Sequence, residues 1–322
     1  MEAILREQKI SARRDRLKEM ANALRSAYER MLSRLKAQGE IKEQIGMAAL
    51  MWVSHSVRPL RVDELSEALA VEIGSADLDL ENAPSVGTLL ACCQGLLVVD
   101  EASAVRLVHP TLQEYLLTRP DLFDRAHSTI AETCLTYLNF QRFKGLPASD
   151  LPDPVQAPFL GYSSIYWGTH AKRELSGRAK SLALKLFDDY DGHISIKFLL
   201  QDALTPDHFI DIKGFSSFTG LHCASFFGIV EVVAALMETN GCDIDQRDCV
   251  GNTPLMWASQ NGYEGVVKLL QERKDVTPNT PCGSSLTPPL HATSYKRKRE
   301  DELPLLGSYA PKSPRRPRVE ET

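Results

Sequence analysis

The chain has 322 residues, of which 43% are apolar, and its formal net charge is −5. This is enough apolar material for two domains plus tails, and the negative balance excludes a general electrostatic attraction to nucleic acid or anionic membranes. The sequence has no apolar run of about 18 residues and no basic-then-apolar N-terminus, so it predicts neither a membrane span nor a secretory signal. We expect the chain in the cytoplasm, the nucleus or both.

Residues 1–38 contain no Pro or Gly, and they are predicted to form an N-terminal helix. The favoured interpretation is that its apolar stripe docks on the next domain. A coiled-coil dimer is the alternative, although the stripe is short for one. The stripe consists of residues that recur at spacings of three and four, namely Leu17, Ala21, Leu24, Tyr28, Met31 and Leu35.

Residues 39–122 are predicted to form a winged-helix-like domain. Pro59 ends the first apolar segment and keeps Arg58 extended, which gives a short strand before the second helix. The elements then follow in winged-helix order. They are a buried helix over 44–55, helices over 62–70 and 86–94, and strands over 96–100 and 105–109.

The charge pattern of this domain argues against DNA binding. Between Val62 and Val105 there are nine acidic residues and no Lys or Arg. The third helix and the hairpin of a DNA-binding winged helix would have to meet phosphates. We therefore expect the domain to serve packing and regulation.

Residues 123–213 are predicted to be a helical linker domain, and residues 214–276 two ankyrin repeats. The sequence aligns with itself at an offset of 34, close to the ankyrin period of about 33. Thr253 and Pro254 are typical of a helix start, whereas the first copy has Gly220 where Pro is usual, so its helix should start less firmly. The offset pairs Thr219 with Thr253, Leu221 with Leu255, Ala224 with Ala258, Gly228 with Gly262, Val232 with Val266 and Leu236 with Leu270.

Two side chains in the repeats invite a functional role but are interpreted as structural. His222 is expected to bond local backbone, and Trp257 is expected to pack. Two repeats bury too little surface to be stable alone, so the module should pack on the helices before it. An outer apolar face without a capping repeat is predicted at Val266, Val267, Leu269 and Leu270.

The polar loop between the two repeats is the predicted site of partner binding, because exposed loops of this kind are where ankyrin proteins commonly recognise other proteins. The candidate residues are Asp243, Asp245, Gln246, Arg247, Asp248 and Asn252.

Residues 277–322 are rich in Pro and poor in large apolar residues, so they are predicted to be a disordered tail. Two basic clusters in this tail suggest a nuclear localisation signal that an import receptor could bind. Ser313 before Pro314 is a candidate phosphorylation switch. The clusters comprise Lys296, Arg297, Lys298 and Arg299, then Lys312, Arg315, Arg316 and Arg318.

Taken in order, several segments resemble the winged-helix part and the ankyrin repeats of fungal NLR-like proteins, which carry a NACHT nucleotidase module before them. The resemblance covers roughly residues 27–275. It implies a signal-transducing receptor with its sensor on the repeats. The segments are Ala27 to Leu32, Arg58 to Leu65, Cys93 to Leu97, Arg106 to Leu116, Ile130 to Leu138 and Tyr166 to Ala171.

The phosphate-binding loop of such receptors is not found in this sequence, so NTP hydrolysis does not carry over. If Met1 is the true start, the chain holds the middle and the sensor of the receptor without the nucleotidase. Motifs of serine hydrolases, zinc sites and dinucleotide loops are also not found, and the seven cysteines form no Cys-x-x-Cys pair. We therefore predict no catalytic residue, no metal and no cofactor.

The sequence predicts a mainly α protein: a winged-helix and helical domain, a short ankyrin-repeat solenoid and a disordered basic tail. Its predicted function is a non-enzymatic scaffold or regulatory protein that binds a protein partner through the repeats, without membrane contact. The alternative is the C-terminal regulatory and sensor part of a signal-transducing NTPase.

Overall fold

A computed structural model describes residues 10–144, 146, 156–203, 217–239 and 242–272. Within these ranges it contains thirteen α-helices and one two-stranded antiparallel sheet, which confirms the mainly α fold. The tail 277–322 with its two basic clusters lies outside the described residues.

The helices are α1 (Ile10–Lys36), α2 (Glu40–His55), α3 (Val62–Ala70), α4 (Val86–Cys92), α5 (Pro110–Leu117), α6 (Ala126–Leu138), α7 (Phe159–Arg173), α8 (Gly177–Phe187), α9 (Ile194–Ala203), α10 (Gly220–Phe227), α11 (Val230–Met237), α12 (Pro254–Gln260) and α13 (Glu264–Glu272). The strands are β1 (Leu97–Val99) and β2 (Val105–Leu107), and single 3-10 turns lie at Leu80–Asn82 and Gln141–Phe143.

Helices α2, α3 and α4 and the β1–β2 hairpin follow the predicted winged-helix order. In the hairpin Leu97 pairs with Leu107, and Val99 pairs with Val105. The short strand expected before α3 is reduced to one antiparallel bridge between Arg61 and Ala104. Leu97 and Val105 point into the core, so the hairpin closes the domain with its apolar face.

The hairpin turn is organised by Asp100. Its Oδ1 accepts the backbone N–H groups of Ala102 and Ala104, both at 2.9 Å, and its Oδ2 accepts Arg106 Nε at 2.7 Å. The bond from Arg106 holds the pKa of Asp100 below its usual range. The arginine of β2 is thus paired with an acid of the same hairpin.

Helix α1 is held through its C-terminal half. Tyr28 and Leu35 are buried, and the Tyr28 hydroxyl lies 2.7 Å from Thr111 Oγ1 of α5. Nearer the N-terminus, Leu17 and Leu24 are 52% and 40% exposed. The docking interpretation is therefore confirmed for the C-terminal part of the stripe, whereas its N-terminal part faces solvent.

The winged helix and the helices after it share one core. The buried Glu67 of α3 accepts the Tyr137 hydroxyl of α6 at 2.6 Å and the backbone N–H of Phe159 at 3.1 Å. Trp52 of α2 packs edge-on against Phe159 with ring centroids 5.6 Å apart. Helices α2 and α3 are thus joined to α6 and α7 by continuous packing.

Three histidines meet where α2, α6 and α7 converge. His127 Nδ1 lies 2.8 Å from His170 Nδ1, His170 Nε2 lies 3.0 Å from the Tyr162 hydroxyl, and the rings of His55 and His127 are 5.5 Å apart. Burial lowers the pKa of all three, that of His127 to about 4, and the nearby charge of Arg173 acts in the same direction. We call this group the histidine cluster.

The first ankyrin repeat packs directly on the helical region. A Cβ atom on Gly168 of α7 would lie 2.1 Å from the Phe227 ring, and one on Gly220 would lie 2.5 Å from the Phe187 ring. Trp167 packs against both rings, with centroids 5.1 Å from Phe227 and 6.0 Å from Phe187. The prediction that the repeats pack on the preceding helices is confirmed.

The second repeat also touches the helical region. Lys172 of α7 places its ammonium group 3.8 Å from the centre of the Tyr263 ring, a cation–π contact. Tyr263 precedes α13 and packs over Gly228, where an added Cβ would lie 2.5 Å from the ring. Both repeats are therefore anchored to α7.

The outer face of α13 differs from the sequence prediction. Val266 and Leu270, expected on an uncapped apolar face, are 0% and 3% exposed, while Val267 and Leu269 are half-buried. Val266 and Leu270 lie four residues apart and therefore share the side of α13 that meets the core. The expectation was wrong for these two residues.

Candidate partner-binding site

The candidate site is the turn that joins α11 to α12. Two side-chain turns shape it: Asp243 Oδ1 accepts the N–H of Asp245 at 3.0 Å, and Asp248 Oδ1 accepts the N–H groups of Val250 at 3.0 Å and Asn252 at 2.8 Å. Short carboxylates favour such local bonds. Thr253 caps α12, as predicted, and Thr219 caps α10 in the same way.

Asp248 is buried, contrary to the expectation that it contacts a partner. It is 6% exposed, and its Oδ2 accepts Trp257 Nε1 at 2.6 Å while its Oδ1 holds the turn. A carboxylate can leave water when its oxygens gain donors of this kind. Asp248 therefore fixes the shape of the site.

The remaining predicted residues divide by exposure. Asp243, Asp245 and Arg247 are exposed, and we call these three the tip surface. Gln246 and Asn252 are half-buried, and the Asn252 amide oxygen is 3.4 Å from Gln260 Nε2. Arg247 donates to the carbonyl of Gly251 at 2.8 Å, which orients its side chain.

His222 has the structural role that the sequence indicated. Its Nδ1 accepts the N–H of Thr219 at 3.1 Å, so its Nε2 carries the proton that it donates to the carbonyl of Gln246 at 2.9 Å. Burial lowers the pKa of His222, although the charge of Asp248 opposes this shift. The neutral imidazole therefore joins the start of α10 to the tip.

Trp257 packs, as predicted. It is 4% exposed and meets the Phe226 ring edge-on at a centroid distance of 5.4 Å. Its indole N–H has Asp248 as acceptor. The indole is therefore part of the support under the tip surface.

We expect Asp248→Ala to lower the free energy of unfolding by about 2 kcal/mol, because the buried Trp257 N–H and two turn amides lose their acceptor. Urea unfolding monitored by circular dichroism measures this. The matched control is Asp245→Ala, an exposed aspartate on the same turn, for which a change within about 0.5 kcal/mol is expected. Equal stabilities of the two variants would show that Asp248 does not support the turn.

One neighbouring residue was missed from sequence. The sequence predicted no role for Asp188, which lies at the C-terminal end of α8. In the structure it lines the same groove as Asp243 and Gln246 of the tip. Its role could have been suspected from sequence, because an acid at the negative end of a helix dipole is unfavourable for the fold.

Two observations on the described residues concern metal binding and thiol reactivity. No group of three His, Cys, Asp or Glu side chains among them has metal-binding geometry. Burial raises the pKa of Cys93 and of Cys223 to about 12, so these thiols stay protonated. Within the same ranges, no helix has both the length and the apolar character needed to cross a bilayer.

Comparison with known proteins finds two family matches. Residues 28–131 match the winged helix domain of GPI inositol-deacylase, and residues 189–281 match ankyrin repeats in three copies. The second match begins before α9, so it takes in one helix more than the predicted module 214–276.

Among curated proteins, the serine/threonine-protein kinase TNNI3K of Mus musculus and of Rattus norvegicus is 32% identical over 103 residues. The match covers 29% of this chain and 12% of each kinase, so this chain spans only a small part of those relatives. No solved structure matches significantly. The chain therefore carries a winged-helix domain of the GPI inositol-deacylase type followed by ankyrin repeats.

Proposed function

We propose that this chain is a non-enzymatic scaffold or regulatory protein that binds a protein partner through the tip surface. The ankyrin repeats support a role in protein interaction. One observation supports placing the partner contact at the tip surface. Its three exposed charged side chains lie on a turn that the buried Asp248 holds in one conformation. A surface ordered before binding loses less entropy when a partner docks.

The test is a charge swap within the full-length chain. Asp245→Arg combined with Arg247→Asp keeps the net charge but exchanges the two signs on the tip surface. Both proteins carry an affinity tag, and the amount of captured partner is compared. We expect the swapped variant to capture at least tenfold less partner than the unchanged protein, because misplaced charges repel a complementary surface.

The control is an equivalent swap on α13, Glu264→Lys with Lys268→Glu, where both side chains are also exposed. Recovery should be unchanged in this variant. If the tip swap and the α13 swap retain the same partners, the contact region lies elsewhere on the molecule.

A second candidate function is the regulatory and sensor part of a signal-transducing NTPase of the fungal NLR-like type. The order of winged helix and ankyrin repeats favours it, as does the exposed stripe at Leu17 and Leu24, which an additional domain could cover. Sequencing the 5′ end of the transcript decides between the two. An upstream exon that encodes a phosphate-binding loop supports the NTPase.

We also propose that the basic clusters at 296–299 and 312–318 direct nuclear import. Fusion of residues 290–322 to a fluorescent protein should concentrate the reporter in the nucleus. Replacement of the first four basic residues by Ala should reduce that accumulation, since import receptors read such clusters. A fusion no more nuclear than the reporter alone rules out the signal.

A further inference from the structure

A groove runs between the helical region and the first ankyrin repeat, next to the tip surface. It encloses about 490 Å³. Its walls come from Leu184 and Phe187 of α8 and from Leu236 of α11, and its rim includes Asp188 and Asp243. We call it the junction groove. Thr219, Thr239 and Gln246 also line it, so the groove combines an apolar part with several polar groups, as binding clefts do.

The charge of this groove has one sign. Asp188 and Asp243 are exposed at the rim, and none of the described residues that line the groove is Lys or Arg. Lys185 lies in the last turn of α8 but does not line the groove. The rim therefore attracts a cation and repels phosphates and other anions.

Two helices end at the groove and add to this negative potential. α8 ends at Phe187, with Asp188 as its C-cap, and α11 ends at Met237, with Glu238 as its C-cap. An acid beside the carbonyl end of a helix is unfavourable for the folded chain. Its charge is relieved when a cationic group binds there.

We propose that the junction groove binds a protein segment in which an apolar side chain lies beside Lys or Arg. The apolar side chain fills the space between Leu184, Phe187 and Leu236, and the cation pairs with Asp188 and Asp243. This inference rests on the proposed interaction function and deepens it by naming the chemistry of the partner.

The experiment uses a library of random dodecapeptides selected against the full-length chain. Enriched peptides should carry Lys or Arg next to an apolar residue. Their affinity, measured by fluorescence anisotropy, should fall about tenfold or more for the double variant Asp188→Asn with Asp243→Asn, because two charge-assisted contacts become neutral.

Both substitutions are chosen to preserve the fold. Asn remains compatible with the end of α8, and at position 243 its side-chain oxygen can still accept the N–H of Asp245. As a matched control, the α13 swap Glu264→Lys with Lys268→Glu should leave the affinity of the selected peptides within about twofold, since both residues are exposed and neither lines the groove.

Three results would overturn the proposal: no enriched peptide, enriched peptides without an excess of Lys and Arg, or equal affinity for the double variant. If the selected peptides lose affinity only for the tip swap, the tip surface is supported as the binding site and the junction groove is rejected. Conversely, the tip swap could leave partner recovery unchanged while the double variant Asp188→Asn with Asp243→Asn weakens peptide binding. That result rejects the tip surface and supports the junction groove.

Discussion

Trp167→Ala is expected to lower the free energy of unfolding by about 3–5 kcal/mol, the range for removing a large aromatic side chain from a core. Trp167 is 1% exposed and packs on Phe187 and Phe227, so it joins α7, α8 and α10 at one point. Urea unfolding followed by circular dichroism measures the loss. Because the first repeat docks at this point, limited proteolysis near α10 should also accelerate.

The control for this substitution is Val230→Ala at the start of α11. Val230 is 39% exposed, so its truncation should change stability by no more than about 0.5 kcal/mol. Trp167→Phe should fall between the two. A loss below about 1 kcal/mol for Trp167→Ala would contradict the docking role, since the repeats would then be held by other contacts.

Acid is expected to destabilise the protein through the histidine cluster. The pKa of His127 in the folded chain is about 4, and that of His170 is well below its ordinary value, both chiefly because of burial. Unfolded histidines titrate near about 6.5, so the unfolded chain binds more protons as the pH falls from about 6.5 toward 4. The free energy of unfolding therefore falls across this window, and above it the cluster makes no pH-dependent contribution.

The geometry of the histidine cluster also predicts that acid lowers the free energy of unfolding. At 2.8 Å the two Nδ1 atoms leave room for one hydrogen between them, so a second proton places two N–H groups against each other. Arg173 adds positive charge, whereas Glu174 acts in the opposite direction on His55. Each histidine can contribute up to about 1.4 kcal/mol per pH unit within the window.

Urea unfolding at pH 7.5, 6.5, 5.5 and 4.5 tests this expectation. The double variant His127→Gln with His170→Gln should show a flatter dependence, whatever its stability at pH 7.5. His109→Asn is the matched control, because His109 is exposed and Asn can replace its capping bond to the N–H of Thr111. If the free energy of unfolding of the double variant changes with pH as steeply as that of the unchanged chain, the histidine cluster does not cause the acid destabilisation.

Local signals in the sequence were enough for the order of the first winged-helix elements and for the repeats, but they did not predict helix α5. Helix α3 has the predicted bounds, because acids at Asp63 and Glu64 and the apolar spacing of Leu65 and Leu69 mark its start and face. The offset of 34 identified the repeats, and their closing glycines, Gly228 and Gly262, both have positive φ.

Contacts between distant segments could not be predicted. Gly220 looked like a weak helix start, yet the absence of a side chain there allows Phe187 to pack against the backbone. Asp248 is one of several neighbouring acids in the sequence. What distinguishes it is the hydrogen bond from Trp257, which is visible only in the folded structure. His127 and His170 are 43 positions apart in the chain, so their contact depends on how α6 and α7 pack.

The contact of Lys172 with Tyr263 bears on cooperativity. In a simple solenoid each repeat is stabilised only by its neighbours, so a terminal repeat can open by itself. Here the second repeat has its own link to α7, which bypasses the first repeat. The second repeat should therefore open less readily than the terminal repeat of a simple solenoid, by roughly the 0.5–1 kcal/mol that an exposed cation–π contact contributes.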